Sequence, residues 1–413
     1  MAKTLRILHT SDWHLGCLLY GQKRYAESEA FLHWLATFIK EAGVTIVLVS
    51  GDIFDSQTPS NKAQELYYSF LYAVAGCGVH HVVLIAGNHD SVSLLRAPQD
   101  LLRMLHIHVV ASASDDPSDE VLALHDPDGD LELVVCAVPY LRDRDLRTAE
   151  GGESEEDKEE KLRQGLVRHF SRVIDHALTL RGDAPVPLVC MGHLFAAGGK
   201  TVEGDGVRDL YVGNLAAVSA SCFPSSCSYV ALGHLHVPQC VGGNAMIRYS
   251  GSPIPIGFGE LDHEKSCCLL TGSPTSPSLD LSLVPIPHFQ TLLSIKGDMA
   301  RIQETVTALA QKKEAAWLEI LYTGDDPLLD LKGRVDALVK DTNLVPLKVK
   351  NTTFFTQYLH AHEEDEGLQE LTVDEVFSRC LDEYKIPAAD RPSLLATYKE
   401  ALQMIYEADS KKI

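Results

Sequence analysis

The opening part of the chain alternates short apolar runs with stretches of helical periodicity. The apolar runs are rich in Val, Ile and Leu, which predicts strands buried on both faces. We expect these strands at 5–10, 45–50 and 82–85. Apolar residues at helical spacing predict amphipathic helices between and after them, at 29–42, 62–75 and 93–105. Strand and helix in repetition are typical of a parallel sheet with helical crossovers.

In the middle of the chain the strands continue while the helices become fewer. Strand-like runs occur at 131–139, 187–191 and 229–232, and a long amphipathic helix is predicted at 158–180. Three further strand-like runs follow without helices between them, at 247–250, 267–270 and 279–284. This change predicts a second sheet of antiparallel character that packs on the first.

Beyond a proline-rich stretch at 284–288, the pattern predicts a compact β-α-β-α-β unit. A polar segment at 357–370 reads as a linker, and two amphipathic helices follow it, one of them with Phe377 in its apolar stripe. Two short helices bury little against each other, which predicts that they bind a partner surface. We therefore expect three parts, 1–286, 287–352 and 353–413.

Composition restricts the class of protein. The chain has 413 residues and a net charge of −21, which argues against a general nucleic-acid coat but not against a nuclease. The ten cysteines show no Cys-x-x-Cys spacing, no apolar run is long enough for a membrane span, and the N-terminus lacks a signal-peptide core. A cytoplasmic location without membrane contact is expected. The acidic stretches at 115–130 and 150–160 are predicted to be solvated loops without an assigned function.

Polar residues cluster where the predicted strands end. The five clusters contain Asp12 and His14; Asp52 and Asp55; Asn88, His89 and Asp90; His193; and His234 and His236. Each alone is weak, since Gly-Asn and Gly-Asp pairs often form turns and a lone histidine is usually structural. The carboxyl ends of parallel strands, however, meet at one edge of a sheet, where ligands bind. Convergence of so many imidazoles and carboxylates there predicts metal binding.

The types of side chain indicate which chemistry such a site could perform. Imidazole together with carboxylate suits manganese, iron or zinc better than calcium or magnesium. There are enough ligands for two ions, in which case one carboxylate must bridge them. Two such ions would activate water for in-line attack on a phosphoester and stabilise the oxygens of the transition state.

The five motifs, in this order, resemble those of the calcineurin-like metallophosphoesterase family. The resemblance covers nearly the whole chain and is closest to a branch of DNA nuclease subunits. It is carried by segments 7–16, 51–55, 86–91, 207–213, 231–236 and 250–255. Asp55 stands where archaeal and eukaryotic relatives often carry histidine, which favours the bacterial branch.

The resemblance implies a role for each motif residue. The first metal would be held by Asp12, His14, Asp52 and His236. The second would be held by Asp52, Asn88, His193 and His234, so that Asp52 bridges. His89 and Asp55 are implied as catalytic residues, with His89 facing the phosphate rather than binding metal. Asp90 is expected to orient its neighbours.

The resemblance also implies an α/β fold, a two-sheet sandwich flanked by helices, with a small α+β capping domain and C-terminal helices. The implied activity is a manganese-dependent DNA nuclease, a 3′–5′ double-strand exonuclease and single-strand endonuclease for duplex ends and hairpins in repair, recombination and replication. The implied partner is a coiled-coil ATPase bound by the C-terminal helices, with the chain as a homodimer within a heterotetramer. The alternatives are a small-molecule phosphatase or phosphodiesterase on the same site, and an inactive scaffold subunit.

Overall fold

The computed structural model describes residues 3–147, 154–196, 219–324, 328 and 330–351, together with the single positions 381, 391, 394 and 398. The chain divides into two compact units, Met1–Lys350 and Asn351–Ile413. The predicted linker at 357–370 and Phe377 lie outside the described residues, and positions 381, 391, 394 and 398, in the region of the predicted C-terminal helices, are helical. None of the described helices combines the length and apolar character needed to cross a membrane.

The first sheet has six strands. They are β1 (Leu5–Thr10), β4 (Ile46–Ser50), β5 (His81–Ile85), β6 (Ile107–Val110), β13 (Ser266–Gly272) and β14 (Leu279–Pro285). Their order across the sheet is β14-β13-β1-β4-β5-β6. The pairs β1–β4, β4–β5 and β5–β6 are parallel, as the alternation of strand and helix predicted.

Helices cover the outer face of this sheet. They are α1 (Tyr25–Ala42), α2 (Asn61–Ala75), α3 (Val92–Arg96) and α4 (Gln99–Arg103). The single helix predicted at 93–105 is wrong, because the chain forms two short helices there with Pro98 between them. Proline has no backbone N–H to donate, so it interrupts a helix of this length.

The second sheet also has six strands. These are β7 (Val121–His125), β8 (Leu131–Ala137), β9 (Leu188–His193), β10 (Tyr229–Gly233), β11 (Gln239–Val241) and β12 (Asn244–Tyr249), in the order β11-β12-β10-β9-β8-β7. Helix α5 (Asp143–Leu146) and the long α6 (Glu155–Arg181) pack on its outer face. The inner faces of the two sheets share a core of aliphatic side chains that includes Ile7, Leu48, Val135 and Met191. The predicted α/β fold of two packed sheets flanked by helices is confirmed.

The strand pairing of the second sheet differs from the prediction. Its central pairs β8–β9, β9–β10 and β10–β12 are parallel, and only the outer strands β7 and β11 are antiparallel to their neighbours. Strands β13 and β14, which we expected in this sheet, instead extend the first sheet by antiparallel pairing of β13 with β1. Pairing between residues so far apart in sequence depends on tertiary packing, which local apolar patterns do not encode.

The acidic stretches are also more ordered than predicted. Residues 155–160 form the first turns of α6, and residues 121–125 form β7. Glu120 is completely buried, and its carboxylate lies 2.9 Å from His169 Nε2. The prediction of solvated loops is therefore wrong for the buried Glu120 and for 121–125, which form an edge strand of the second sheet. At 155–160 the predicted loop is wrong because the residues are helical, although the side chains at 156–160 are mostly exposed as predicted.

The predicted β-α-β-α-β order is present near the end of the first unit. It consists of β15 (Leu292–Gly297), α7 (Met299–Gln311), β16 (Ala316–Tyr322), α8 (Leu331–Val339) and β17 (Leu344–Asn351), with strand order β15-β16-β17. A hairpin of β2 (Leu18–Leu19) and β3 (Gln22–Lys23) packs against it through Leu19, which clusters with Phe258 and Leu292. This hairpin begins four residues after His14 in the chain.

Candidate metal centre

The seven predicted metal ligands converge where strands of both sheets end. Asp12 and His14 follow β1, Asp52 follows β4, and Asn88 follows β5. His193 is the last residue of β9, and His234 and His236 follow β10. The strands within each set are parallel, so their carboxyl ends meet at the same edge. The ligand side chains of the first sheet therefore face those of the second sheet where the two sheets meet.

The backbone at these strand ends is turned sharply. Asp12, His14, Asp52 and His234 all have positive φ, at 53°, 44°, 49° and 109°. Such angles are uncommon for residues other than glycine, and they cost free energy that the surrounding structure must supply. The Asp12 N–H donates to the carbonyl oxygen of Gly51, and the His14 N–H donates to that of Asp52, both at 3.0 Å. The turns after β1 and β4 therefore hold each other in place.

One group of potential ligands is formed by Asp12, His14 and His236, whose donor atoms lie within 4.8 Å of one another. His14 Nε2 is 3.1 Å from His236 Nε2. The Asp12 carboxylate accepts a hydrogen bond of 2.9 Å from the His234 N–H. All three side chains are buried, so a cation between them would be largely shielded from water.

A second group is formed by Asp52, His193 and His234. Asn88 Oδ1 lies 3.0 Å from His193 Nε2 and 3.1 Å from His234 Nδ1, so the amide oxygen faces the same point. Asp52 Oδ2 is 3.2 Å from His193 Nε2 and 3.7 Å from His14 Nε2. This carboxylate therefore lies between the two groups.

Charge within the site is unevenly distributed. Burial opposes ionisation of Asp52, but the charges of His193 and His14 outweigh it and hold the pKa of this carboxyl well below its usual range. Burial disfavours the charged form of His193 as well, yet the carboxylates of Asp52 and Asp12 raise its pKa to about 9. Burial and the neighbouring His193 lower the pKa of His234 to about 3. In the metal-free protein, a proton on His193 pairs with the Asp52 carboxylate, and a divalent cation would displace it.

The side chains fit divalent metal ions. The close approach of His14 Nε2 to His236 Nε2 puts two nitrogen lone pairs at one point, which neutral imidazoles tolerate only with a proton or a cation between them. Glycine is required beside them, since a Cβ on Gly87 would overlap the Asp52 carboxylate and one on Gly233 would overlap the Ser50 carbonyl oxygen. A mixture of imidazole, carboxylate and amide oxygen is suited to a first-row transition metal.

The remaining motif residues surround this centre. His89 is half-buried, and its Nδ1 lies 2.9 Å from the carbonyl oxygen of Asp55. The Asp55 carboxylate lies 3.3 Å from His14 Nδ1, on the ring edge opposite the metal group. Asp90 is completely buried and accepts hydrogen bonds from the N–H groups of Phe54, at 2.9 Å, and Gly87, at 2.8 Å. It therefore ties the turns after β4 and β5 together without facing the centre.

Sequence reasoning missed residues that support the ligands from behind. The Ser11 hydroxyl donates to Asp12 Oδ2 at 2.5 Å and lies 2.8 Å from the Ser250 hydroxyl. Glu260 is completely buried behind His236. Segment 250–255 carries part of the family resemblance, but no local signal connects it or Glu260 to the ligands. Segment 207–213, which also contributes to the resemblance, lies outside the described residues.

Comparison with known families and relatives agrees with this geometry. The calcineurin-like phosphoesterase family matches residues 5–238, and the type 5 capsule protein repressor C-terminal domain family matches residues 288–385. The SbcD subunit of nuclease SbcCD from Escherichia coli (strain K12) is 37% identical over 379 residues, which cover 91% of this chain and 92% of that protein. Its counterpart from Rhodobacter capsulatus is 32% identical, over 84% of this chain and 87% of that protein.

Among solved structures, a dimetal phosphatase from Danio rerio covers 68% of this chain and 99% of its own, with 12% identity and a TM-score of 0.40, values too low to support a comparison of sites. The relatives named as nuclease subunits are matched along most of their length. The phosphoesterase family match, residues 5–238, contains the strands after which the ligands stand and every residue of the metal centre. The chain is therefore a hydrolase of the calcineurin-like phosphoesterase family, and it belongs within that family to the group of SbcD nuclease subunits.

Proposed function

We propose that the chain is a manganese-dependent DNA nuclease subunit that cleaves phosphodiesters at the centre formed by the two sheets. The observation that carries this proposal is the position of the Asp52 carboxylate, which lies 3.7 Å from His14 Nε2 of the first group and 3.2 Å from His193 Nε2 of the second. The donor atoms of His14 and Asp52 also form a group with His89, and we assign His89 to the substrate instead of to a metal. The proposed ligands of the first metal are Asp12, His14, Asp52 and His236. The proposed ligands of the second are Asp52, Asn88, His193 and His234.

Two divalent ions held in this way would supply an activated water molecule and a positive field for the phosphate. The protein supplies orientation and a proton. His89 Nδ1 donates to the Asp55 carbonyl oxygen, which leaves Nε2 to face the substrate and donate to the leaving oxygen. Asp55 acts by positioning, since its carbonyl oxygen fixes His89 and its carboxylate contacts His14.

The substrate and the partner are proposed from the relatives, which are named as subunits of the SbcCD nuclease. We infer that this chain acts on duplex DNA ends, hairpins and single strands in the cytoplasm, at the nucleoid. It would be both a 3′–5′ double-strand exonuclease and a single-strand endonuclease. A coiled-coil ATPase related to SbcC would bind helices within 353–413. Residues 1–286 would then be the nuclease domain and 287–352 the capping domain, an arrangement supported by the family match that begins at 288.

A homodimer within the larger assembly is supported by the outer surface of the first sheet. Helices α2 and α4 cover the same face of that sheet, yet they expose large apolar side chains to solvent. Tyr72 is 82% exposed, Leu101 65% and Met104 79%. Large apolar side chains exposed on this face favour a protein contact, and a second copy of this chain would cover them symmetrically. Tyr72→Glu should convert a dimer to a monomer in sedimentation equilibrium, and an unchanged mass would contradict this interface.

The central test is a cleavage assay with the purified chain, with and without the ATPase partner. We expect manganese-dependent cleavage of short single-stranded DNA by the chain alone and ATP-dependent degradation of linear duplex DNA by the complex. The Asp52→Ala variant is the negative control for contaminating nuclease. Hydrolysis of a small phosphodiester such as bis(4-nitrophenyl) phosphate without any cleavage of DNA would favour the small-molecule alternative.

A further inference from the structure

A buried ion pair lies directly behind the first metal position. Glu260 is completely buried, and Lys265 is 3% exposed. The Lys265 ammonium pairs with Glu260 Oε2 and also donates to the carbonyl oxygen of His236 at 2.8 Å and to the Ser252 hydroxyl at 2.9 Å. The ammonium therefore donates to three acceptors, one for each of its N–H bonds. It connects Glu260, Ser252 and the backbone of His236.

The ring of His236 lies between this ion pair and the metal position. Its Nε2 is 3.1 Å from His14 Nε2, on the side where the ligands converge. Its Nδ1 faces the opposite way, 3.6 Å from Glu260 Oε1. Oε1 has no hydrogen-bond partner in the described part of the chain, whereas Oε2 is bound by Lys265. The free oxygen of a buried carboxylate thus points at the ring nitrogen that does not face the metal.

Burial of such a pair is difficult to explain by stability alone. Removing two charges from water carries a large free-energy penalty, and the gain from pairing often fails to exceed it. An apolar pair of similar size would fill the same space at lower cost. A buried ion pair in which Glu260 Oε1 has no hydrogen-bond partner among the described residues therefore indicates a function beyond packing. The neighbouring proposed ligand, His236, suggests what that function is.

We propose that Glu260 is a positioning residue for the first metal ion. Its Oε1 accepts the Nδ1 proton of His236, which keeps the lone pair of Nε2 aimed at the metal position. Lys265 holds the Glu260 carboxylate and the His236 backbone in register. A carboxylate that orients a histidine ligand in this way raises the affinity of the metal site. This inference rests on the proposed assignment of His236 as a ligand.

The same arrangement gives segment 250–255 a role. The Ser252 N–H donates to the His236 carbonyl oxygen at 3.0 Å, and the Ser250 hydroxyl lies 2.8 Å from that of Ser11, which donates to Asp12. Two ligands of the first metal, Asp12 and His236, are therefore both held from behind by this short segment. On the second metal position, His193 is held instead from the first sheet, since its Nδ1 donates to the carbonyl oxygen at the end of β4 at 2.9 Å.

The test compares Glu260→Gln with the unaltered full-length chain. Manganese binding is followed by calorimetry, and the protonation of His236 in the metal-free protein is followed by ¹⁵N-histidine NMR. We expect the variant to lose affinity for one of the two ions by about 10- to 100-fold and to keep the other unchanged. The fraction of His236 protonated at Nδ1 should fall in the same variant, a change that a merely structural role would not produce.

The matched control is Glu120→Gln, because Glu120 also pairs with a histidine in a buried position, but His169 lies on α6, which carries none of the proposed ligands. It should bind both ions with unaltered affinity. If Glu260→Gln leaves Lys265 uncompensated and the protein unfolds, the double variant Glu260→Gln/Lys265→Gln removes both charges and should show the same selective loss.

Two results would overturn the proposal: unaltered affinities for both ions in a folded Glu260 variant, or an unaltered His236 tautomer. The His236→Ala variant separates this failure from a failure of the ligand set. It should lose one ion entirely. If it retained both ions, the assignment of His236 as a ligand would be wrong and the role of Glu260 would fall with it.

Discussion

The Nδ1 atom of His89 lies 2.9 Å from the backbone carbonyl oxygen of Asp55. A carbonyl oxygen only accepts hydrogen bonds, so Nδ1 must carry a proton in either protonation state of the ring. The side chain of Asp55 can be exchanged without loss of this contact, because the acceptor belongs to the backbone. The orientation of His89 is therefore set by the turn after β4, and under the proposed function Nε2 is the nitrogen that faces the substrate.

Replacing His89 with alanine should reduce DNA cleavage by about 100- to 10,000-fold, the usual contribution of a general acid. Manganese content should stay at two ions per chain, because His89 is not in the proposed ligand set. Both quantities are measured on the same preparation, by a cleavage assay and by calorimetry. The exposed His33 offers a control, and His33→Ala should alter neither. Loss of one ion in His89→Ala would make His89 a ligand.

Replacing Asp52 with alanine should abolish binding of both ions, because its carboxylate lies between the two groups. Asp12→Ala should by contrast lose only the first ion, since the Asp12 carboxylate is grouped as a possible ligand only with His14 and His236. Metal analysis of the two variants after dialysis against manganese distinguishes them. Two ions per chain in Asp52→Ala would exclude a bridging role.

Manganese should support faster cleavage than magnesium at equal concentrations. Four of the proposed ligands are imidazoles, and magnesium prefers oxygen ligands and gives up its waters reluctantly. The comparison requires protein stripped of metal beforehand, with rates measured over a range of each ion. Equal maximal rates would argue against a mixed nitrogen and oxygen site.

His9 should make the metal-free protein sensitive to acid. The ring is completely buried between the sheets, and burial lowers the pKa of His9 to about 3. The unfolded chain binds a proton near pH 6.5 while the folded chain does not, so the free energy of unfolding falls as the pH drops from about 6.5 to about 3. This one group contributes a slope of up to about 1.4 kcal/mol per pH unit.

Urea unfolding of the metal-free protein at pH 5 and pH 7 measures this slope. The His9→Asn variant should lose that share of the pH dependence, although it is less stable at pH 7 because Tyr229 loses a partner at 3.0 Å. An exposed substitution such as His33→Asn should leave the slope unaltered. An identical slope in the parent chain and His9→Asn would show that His9 is protonated before unfolding.

Truncation after His360 should preserve manganese-dependent cleavage of short single-stranded DNA, since the whole metal centre lies in the unit Met1–Lys350. It should abolish binding to the ATPase partner and ATP-dependent attack on duplex ends. Phe377→Asp in the full chain should reproduce the loss of binding, whereas Phe377→Leu keeps an apolar side chain and should retain it. Co-purification of the truncated chain with the ATPase would show that the partner binds elsewhere.

The sequence predicted the features that depend on residues close together in the chain. It missed those that depend on contacts between residues far apart in the chain. A buried strand followed by Gly and a polar pair is a local pattern, so Asp52 and Asn88 can be assigned to strand ends from the amino-acid sequence alone. The pairing of β13 with β1 joins residues such as Leu8 and Leu269 that are far apart in the chain, and only packing decides it. The role of Glu260 could not be predicted either, because a carboxylate near a turn is usually exposed to solvent and the local sequence does not indicate that the fold buries it.

The division of the centre between two sheets has a consequence for how the protein is made. Under the proposed ligand set, every oxygen ligand (Asp12, Asp52 and Asn88) stands in the first sheet, while the second sheet contributes only imidazoles. Synthesis proceeds from the N-terminus, so the oxygen ligands leave the ribosome well before His193. Neither metal position can be completed until His234 and His236 have emerged and β10 has joined its sheet. Tight metal capture is therefore a late event in biogenesis, delayed until both halves of the nuclease domain have been synthesised.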